Sequence, residues 1–172
     1  MKRLLVVLLA LLFSAVNLAA IEQTEAMVAR FLRAFAANQS FAAVEEHFFH
    51  VTDLDDLLAA LRADLLGKGP NPLLDKFMNE FAAPGARPKL EAEIQKGLAE
   101  SRQKWEQMLQ YPADPGTEMK VAKLNLEIRY SPFRIYEIEV HGTYTSKGQP
   151  QSFRIRAEYF ILNGRVRITK LR

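Results

Sequence analysis

The apolar residues of the first half of the chain recur at helical spacing. Met27, Phe31 and Phe35 fall four positions apart and charged residues fall elsewhere, which predicts one amphipathic helix over residues 21–37. Ser40 belongs to the residue types that commonly cap helices, and it predicts the start of a second, short helix. Two helices separated by a short break are therefore expected first.

Three further helices are predicted between residues 52 and 110. The first begins with Thr52 as its N-cap and ends at Gly67. The second opens with Asn71 as N-cap and Pro72 as first helical residue, where the missing proline N–H costs nothing. The third covers residues 89–110, between clusters of proline and glycine.

Apolar and polar residues alternate after Thr117, so the period changes from that of a helix to that of a strand. We predict an α+β fold, with N-terminal helices packed on one face of a four-stranded antiparallel meander sheet. A single domain is expected over residues 21–172, with a helical part at 21–116 and the sheet at 117–172. The four predicted strands are residues 119–130, 134–146, 151–162 and 165–171.

Asn163 and Gly164 give the strongest local signal in the sequence. An Asn-Gly pair between two alternating runs is typical of a two-residue type I′ hairpin. This turn places Tyr159 opposite Ile168 on one face of the sheet.

The two earlier turns are predicted from the requirement that apolar residues face each other. A turn centred on residues 148–149 pairs Tyr144 with Phe153. A two-residue first turn would place polar residues opposite apolar ones. We therefore predict a connection of three or more residues, which restores Leu126 opposite Ile138.

Composition and charge exclude several functions. The 172 residues include no cysteine, which excludes disulfides, thiol nucleophiles, cysteine-based zinc sites, iron–sulfur clusters and lipid attachment through cysteine. Lysine and arginine number 23 against 20 aspartates and glutamates, a near-balance that argues against a nucleic-acid-binding protein. The helical part carries 10 basic and 15 acidic side chains and the sheet part 11 and 5, so the two layers should attract each other.

The first twenty residues have the organisation of a secretory signal. Lys2 and Arg3 precede an uninterrupted apolar run at residues 4–13, and small residues follow up to Ala20. An uncleaved membrane anchor is the alternative, but the run is shorter than the roughly 20 residues of a bilayer span. A signal peptide over residues 1–20 predicts a periplasmic or secreted protein, with no membrane association after cleavage.

Two segments of the chain resemble a known family. The first is FLRAFAANQSFAAVEEHF at residues 31–48, and the second is YFILNGRVRITKL at residues 159–171. The order of helices and meander resembles the NTF2-like (SnoaL-like, cystatin-like) α+β cone superfamily over about residues 24–57 and 118–171, with a helical insertion at 68–116. The resemblance implies a fold and a place for a pocket, but no catalytic signature that transfers.

Tyrosines cluster on the inner face of the predicted sheet. They could form the polar lining of a pocket for a small apolar ligand. In the alternative interpretation they pack as core, with each hydroxyl reaching water at the rim. The candidate ligand-binding residues are Tyr130, Tyr136, Tyr144, Tyr159 and Trp105.

His47 and His50 are the candidate catalytic residues. Either could act as a general base beside a tyrosine hydroxyl that donates a hydrogen bond. Two histidines with Glu46 could also hold a metal, but no third histidine is near and the HExxH spacing is absent. We expect helix-end histidines, no metal and no cofactor.

An apolar strip is predicted on the outer face of the sheet. An apolar strip rimmed by arginines is typical of an interface, which predicts a C2 homodimer through this face. In the competing interpretation, the helix at 89–110 or the chain before it covers the strip. The candidate interface residues are Phe160, Leu162, Arg165, Arg167 and Leu171.

These patterns lead to two hypotheses about function. The first is a secreted or periplasmic, non-catalytic binding or protein-interaction module of NTF2-like type. The alternative is a small pocket enzyme, of isomerase, dehydratase or hydrolase type, that uses a histidine base and a tyrosine. The expected partners are a small apolar ligand, another protein or a second copy of the chain, and not nucleic acid.

Overall fold

The structure, a computed structural model, describes residues 21–68, 72–130 and 134–172, apart from the side chains of 64–68, 73–74, 128–130 and 134. The predicted signal peptide at residues 1–20, the N-cap Asn71 and the side chain of Tyr130 lie outside this description. The predictions made for them stay predictions.

Four helices and four strands make up the described fold. Helix α1 covers residues 21–36, and three single 3-10 turns follow it at Phe41–Ala43, Glu45–His47 and Val51–Asp53. The other helices are α2 (Leu54–Lys68), α3 (Pro72–Ala82) and α4 (Ala86–Met108). The strands are β1 (Lys120–Tyr130), β2 (Arg134–Ser146), β3 (Gln149–Leu162) and β4 (Arg165–Leu171).

The predicted amphipathic character of α1 is confirmed. Met27, Phe31 and Phe35 are all buried, because residues four apart lie on the same face of a helix. The short helix predicted after Ser40 is instead two successive 3-10 turns, and the Ser40 side chain makes no cap hydrogen bond.

The cap of α2 differs from the prediction. Asp53 rather than Thr52 closes the turn before the helix, because Asp53 Oδ2 accepts a hydrogen bond of 2.9 Å from the His50 N–H. The last of the predicted helices, α4, also begins earlier than predicted. Pro88 lies in its first turn, where a proline interrupts no helical hydrogen bond.

The predicted α+β fold with an antiparallel meander is confirmed. The strands lie in the order β1-β2-β3-β4, and each pairs antiparallel with the next. Asn163 and Gly164 both have positive φ, and Tyr159 lies opposite Ile168 as predicted. The predicted pairing of Leu126 with Ile138 is also confirmed.

The second turn lies one residue earlier than predicted. Lys147 and Gly148 have φ angles of 52° and 71°, as a type I′ turn requires, so Tyr144 pairs with Gln151 and not with Phe153. The register thereby moves by two residues along β3. A two-residue shift returns every side chain to its predicted face, so the face assignment survives.

Two apolar clusters lie on opposite faces of the sheet. The inner face, which carries Ile138 and Ile168, packs against α1 and Trp105. On the outer face, Phe160 and Leu162 are only 3% and 5% exposed, because residues of α2, α3 and α4 pack against them. Helices therefore cover the apolar strip within the monomer, as the competing interpretation expected.

Leu171 does not lie on the outer face, where the interface was predicted. The pairing with β3 shifts by one residue between Glu158 and Tyr159, which places Leu171 opposite Ala157. This irregularity turns Leu171 to the inner face, where it is 2% exposed in the core. The strip that suggested a dimer is thus absent from the described surface, and the oligomeric state itself stays a prediction.

Candidate functional site

A cleft of about 710 Å³ opens between α1, the turn at Glu45–His47 and the β3–β4 hairpin. We call it the arginine cleft, because four guanidinium groups line it. Arg30 and Arg33 are three apart on α1, and Arg165 and Arg167 are two apart on β4. Both spacings place two side chains on the same side of their element. The other lining residues are Gln23, Ala26, Met27, Glu46, His47, Gly164 and Val166.

Two of the four arginines are neutralised within the chain. Arg30 lies 3.4 Å from Glu46 Oε1, and Arg167 lies 3.1 Å from Asp53 Oδ1. Arg167 also donates a hydrogen bond of 3.0 Å to the Glu46 carbonyl.

The other two arginines are available to a ligand. Neither Arg33 nor Arg165 forms an ion pair with any described residue, and both are exposed. Four guanidinium groups and the carboxylates of Glu46 and Asp53 leave a formal local charge of +2. The cleft therefore attracts anions.

Buried polar atoms in the cleft also lack partners. Gln23 Oε1, His47 Nε2 and Arg167 Nε are buried and accept or donate no hydrogen bond within the described part of the chain. Leaving such an atom unsatisfied costs about 1–3 kcal/mol. A bound group with both hydrogen-bond donors and acceptors would remove this cost, which makes the cleft suited to a polar ligand.

His47 is held mainly in its neutral form. Burial lowers the pKa of His47, the positive charges of Arg30 and Arg167 lower it further, and Glu46 partly opposes them. The Nε2 atom lies 3.8 Å from Glu46 Oε1, beyond hydrogen-bond distance. A neutral imidazole can either donate or accept a hydrogen bond toward the cleft.

His50 lies elsewhere and does not share the site with His47. Its Nε2 atom contacts the Glu45 carbonyl at 3.1 Å, and its backbone N–H is bonded to Asp53. No group of three or more potential metal ligands occurs among the described residues. Of the two candidate histidines, His47 lines the arginine cleft and His50 does not.

Three of the four candidate tyrosines, Tyr136, Tyr144 and Tyr159, are buried in the core. Tyr136 stacks on Tyr159 with their ring centroids 5.2 Å apart, and the Tyr159 hydroxyl lies 2.5 Å from Thr24 Oγ1. The Tyr144 hydroxyl donates to the Tyr111 carbonyl at 2.9 Å. Burial raises the pKa of Tyr159 to about 12.

The space between α1 and the sheet is too small for a ligand. It measures about 20 Å³, close to the minimum for one water. Trp105 is fully buried in the core on the inner face, and its Nε1 donates to the Gln39 carbonyl at 3.0 Å. The pocket predicted from these residues has no support in the described part of the chain and stays a prediction.

A second cavity is apolar. It has a volume of about 230 Å³ and lies between α2, α3, α4 and the outer face of the sheet, where Phe77 and Phe160 line it. Glu93 and Thr169 are its polar residues. No buried unpaired polar atom lies among its lining residues, in contrast to the arginine cleft.

Sequence reasoning missed Arg30, Arg33 and Gln23. The spacing of the two arginines on one side of α1 was the available signal, but only the fold brings them beside β4. Arg165 was predicted for an interface, and it lies instead at the cleft. On the outer face, Arg154 and Arg156 of β3 instead form ion pairs with Glu139 and Glu137 of β2.

Comparison with family models, with curated proteins and with solved structures gave no match to this chain. Within the described ranges, no helix combines the length and hydrophobicity that crossing a bilayer requires.

Proposed function

We propose that the protein is a secreted or periplasmic binding module of NTF2-like type that binds a small anionic ligand in the arginine cleft. The observation that carries this proposal is the presence of two unpaired arginines beside buried polar atoms that lack partners. A guanidinium group that no carboxylate neutralises keeps its charge and its hydrogen-bond donors for an anion that enters the cleft.

The chemistry of the lining selects the ligand class. A guanidinium group donates two parallel hydrogen bonds to a carboxylate or a phosphate, so Arg33 and Arg165 suit these anions. A volume of about 710 Å³ falls within the range of small-molecule sites, roughly 300–1,000 Å³. The cleft is therefore large enough for a small organic anion as well as for an inorganic one.

The family and location rest on the sequence. The helix-first order, the four-stranded meander and the segment around Asn163 support the NTF2-like type. The apolar run with its basic start supports secretion. The tyrosines suggested an apolar ligand. We favour an anionic ligand instead, because Tyr136, Tyr144 and Tyr159 are packed in the core.

The enzyme alternative has less support. It requires a histidine nitrogen and a tyrosine hydroxyl within about 3 Å of the same substrate atoms. His47 lines the arginine cleft, but none of the described tyrosines does. Binding by the arginines is therefore the function that we favour.

Titration calorimetry on the purified protein tests the proposal. The probes are inorganic phosphate and succinate, with succinamide as the uncharged counterpart of succinate. We expect the anions to bind and succinamide not to bind. Arg33→Gln and Arg165→Gln should each weaken binding about tenfold or more, since a hydrogen bond to a charged group contributes about 1.5–3 kcal/mol.

Arg62→Gln is the matched control, because Arg62 is exposed on α2 and lies outside the cleft. It removes the same charge and should leave anion affinity unchanged. Equal weakening by all three variants would reduce the effect to net charge and contradict the proposed site. Absence of binding by both anions at millimolar concentration would also contradict it.

A further inference from the structure

The edge strand β1 exposes apolar residues on an unpaired edge. It lies at the end of the strand order, so only β2 pairs with it among the described strands. Val121 and Leu124 are each 44% exposed, and Leu126 is 36% exposed. An apolar edge strand with unpaired backbone groups is a surface on which another strand can add.

The opposite edge of the same sheet is closed. Phe49 donates its N–H to the Ile168 carbonyl at 2.9 Å, and Leu171 donates its N–H to Ser101 Oγ at 3.0 Å. A chain segment and α4 thus cover β4, while no described segment covers β1. The described chain thus protects one edge of the sheet and leaves the other edge open to a further strand.

We propose that β1 pairs antiparallel with β1 of a second copy of this chain, centred on Asn125. In this register Lys123 lies opposite Glu127 of the partner subunit, and Glu127 lies opposite the partner's Lys123. Leu124 likewise lies opposite the partner's Leu126. Opposite charges and apolar residues directly across from each other stabilise antiparallel strands.

The charges select this register over its neighbours. Moving the centre to Leu126 places Lys123 opposite the partner's Arg129, two like charges. Moving it to Leu124 places Lys123 opposite an uncharged residue, Asn125. All three registers keep the inner faces of the two sheets continuous, and among them only the one centred on Asn125 pairs Lys123 with Glu127.

The charges also argue for a second copy rather than an arbitrary strand. Lysine on an edge strand normally discourages pairing, because a foreign strand must bury it without a partner. The β1 strand of another copy supplies Glu127 at that position twice, by symmetry. Glu127 also interacts within its own chain, and the partner's lysine adds to that interaction.

Charge reversal tests the register by sedimentation equilibrium of the purified protein. Lys123→Glu and Glu127→Lys each place two like-charge pairs in the interface and should raise the dimer dissociation constant at least tenfold. An equimolar mixture of the two variants places opposite charges in both pairs and should restore the dimer. Lys104→Glu, at an exposed position of α4, is the matched control and should leave the dissociation constant unchanged.

Cysteine cross-linking tests the same register independently, because the chain has no cysteine of its own. Asn125→Cys lies opposite itself, at the Cα separation of about 4.5–5.5 Å that a disulfide accepts. It should form a disulfide-linked dimer under mild oxidation. Lys123→Cys lies about 13 Å from its copy along the strand and should not.

Three results would overturn the proposal. The first is a monomeric protein at 100 micromolar. The second is a dimer whose dissociation constant the two charge reversals leave unchanged. The third is a Lys123→Cys variant that cross-links as fast as Asn125→Cys. Circular dichroism that matches the unmodified protein shows that each variant is folded.

Discussion

Arginines on neighbouring stretches of the sheet have two different environments. On the outer face of β3, Arg154 forms an ion pair with Glu139, and Arg156 forms one with Glu137. On β4, Arg165 has no ion pair among the described residues and faces the arginine cleft. The residue type is the same, and the difference is whether a carboxylate lies within reach of the guanidinium group.

The difference separates structural charge from functional charge. A guanidinium group paired with a glutamate on the adjacent strand is part of the sheet, since diagonal neighbours on adjacent strands lie within reach of long side chains and stabilise strand pairing. A guanidinium group in a cleft without a carboxylate is available to a ligand. The number of arginines therefore says little about anion binding, and the position of the acidic residues decides it.

The largest expected effect is the loss of stability when a paired arginine is replaced by glutamine. The same replacement of an unpaired arginine gives the comparison. Arg156→Gln removes the guanidinium partner of Glu137, whose side chain is only 7% exposed. We expect the free energy of unfolding in urea to fall by about 2 kcal/mol, as for the loss of one charge-assisted hydrogen bond to a buried carboxylate.

Arg165→Gln is the matched variant on β4. It should change the free energy of unfolding by less than about 0.5 kcal/mol, because the side chain is exposed and unpaired. Anion binding should show the reverse order, with Arg165→Gln the more damaging change. Equal losses of stability in the two variants would remove the distinction between the two environments.

A smaller effect is expected from Asp53, which neutralises Arg167 of the arginine cleft. Its carboxylate pairs with Arg167 and accepts the His50 N–H. Asp53→Asn keeps an oxygen for the cap but removes the negative charge, so the unfolding free energy should fall by about 1 kcal/mol. Anion affinity should rise severalfold, because Arg167 becomes available and the cleft becomes more positive.

The control for this variant is Asp75→Asn, which removes an exposed charge from α3, outside the cleft. It should lower stability by only about 0.3 kcal/mol, through the weaker interaction with the N-terminus of α3, and leave anion affinity unchanged. If Asp53→Asn weakens anion binding, the Asp53 carboxylate does more than neutralise Arg167.

Much of the sheet could be predicted because its signals are local. Asn163 and Gly164 fix the last hairpin, since a type I′ turn needs two residues that tolerate positive φ. The turn at Gly148 was placed one residue late, because the glycine can occupy either central position and both choices keep the same faces. The burial of Leu171 depends on a bulge that no alternation reveals.

The arginine cleft could not be predicted in the same way. It depends on where α1 crosses the sheet and on the turn that carries Glu46 and His47 past β4. Both are results of tertiary packing between segments more than 100 residues apart. The sequence places Arg33 and Arg165 on their own elements but contains no local signal that joins them.

The smallest expected effect is the contribution of His47 to the pH dependence of the free energy of unfolding. Because the pKa of His47 is lowered from 6.5 in the folded protein, the unfolded chain binds a proton first as the pH falls. The free energy of unfolding should therefore fall, relative to that of His47→Gln, as the pH decreases through about 6.5. Succinate at saturation should reduce this fall, because an anion near Arg30 and Arg167 favours protonated His47. A pH dependence that is the same in His47→Gln, or that succinate deepens, would place His47 outside the anion site.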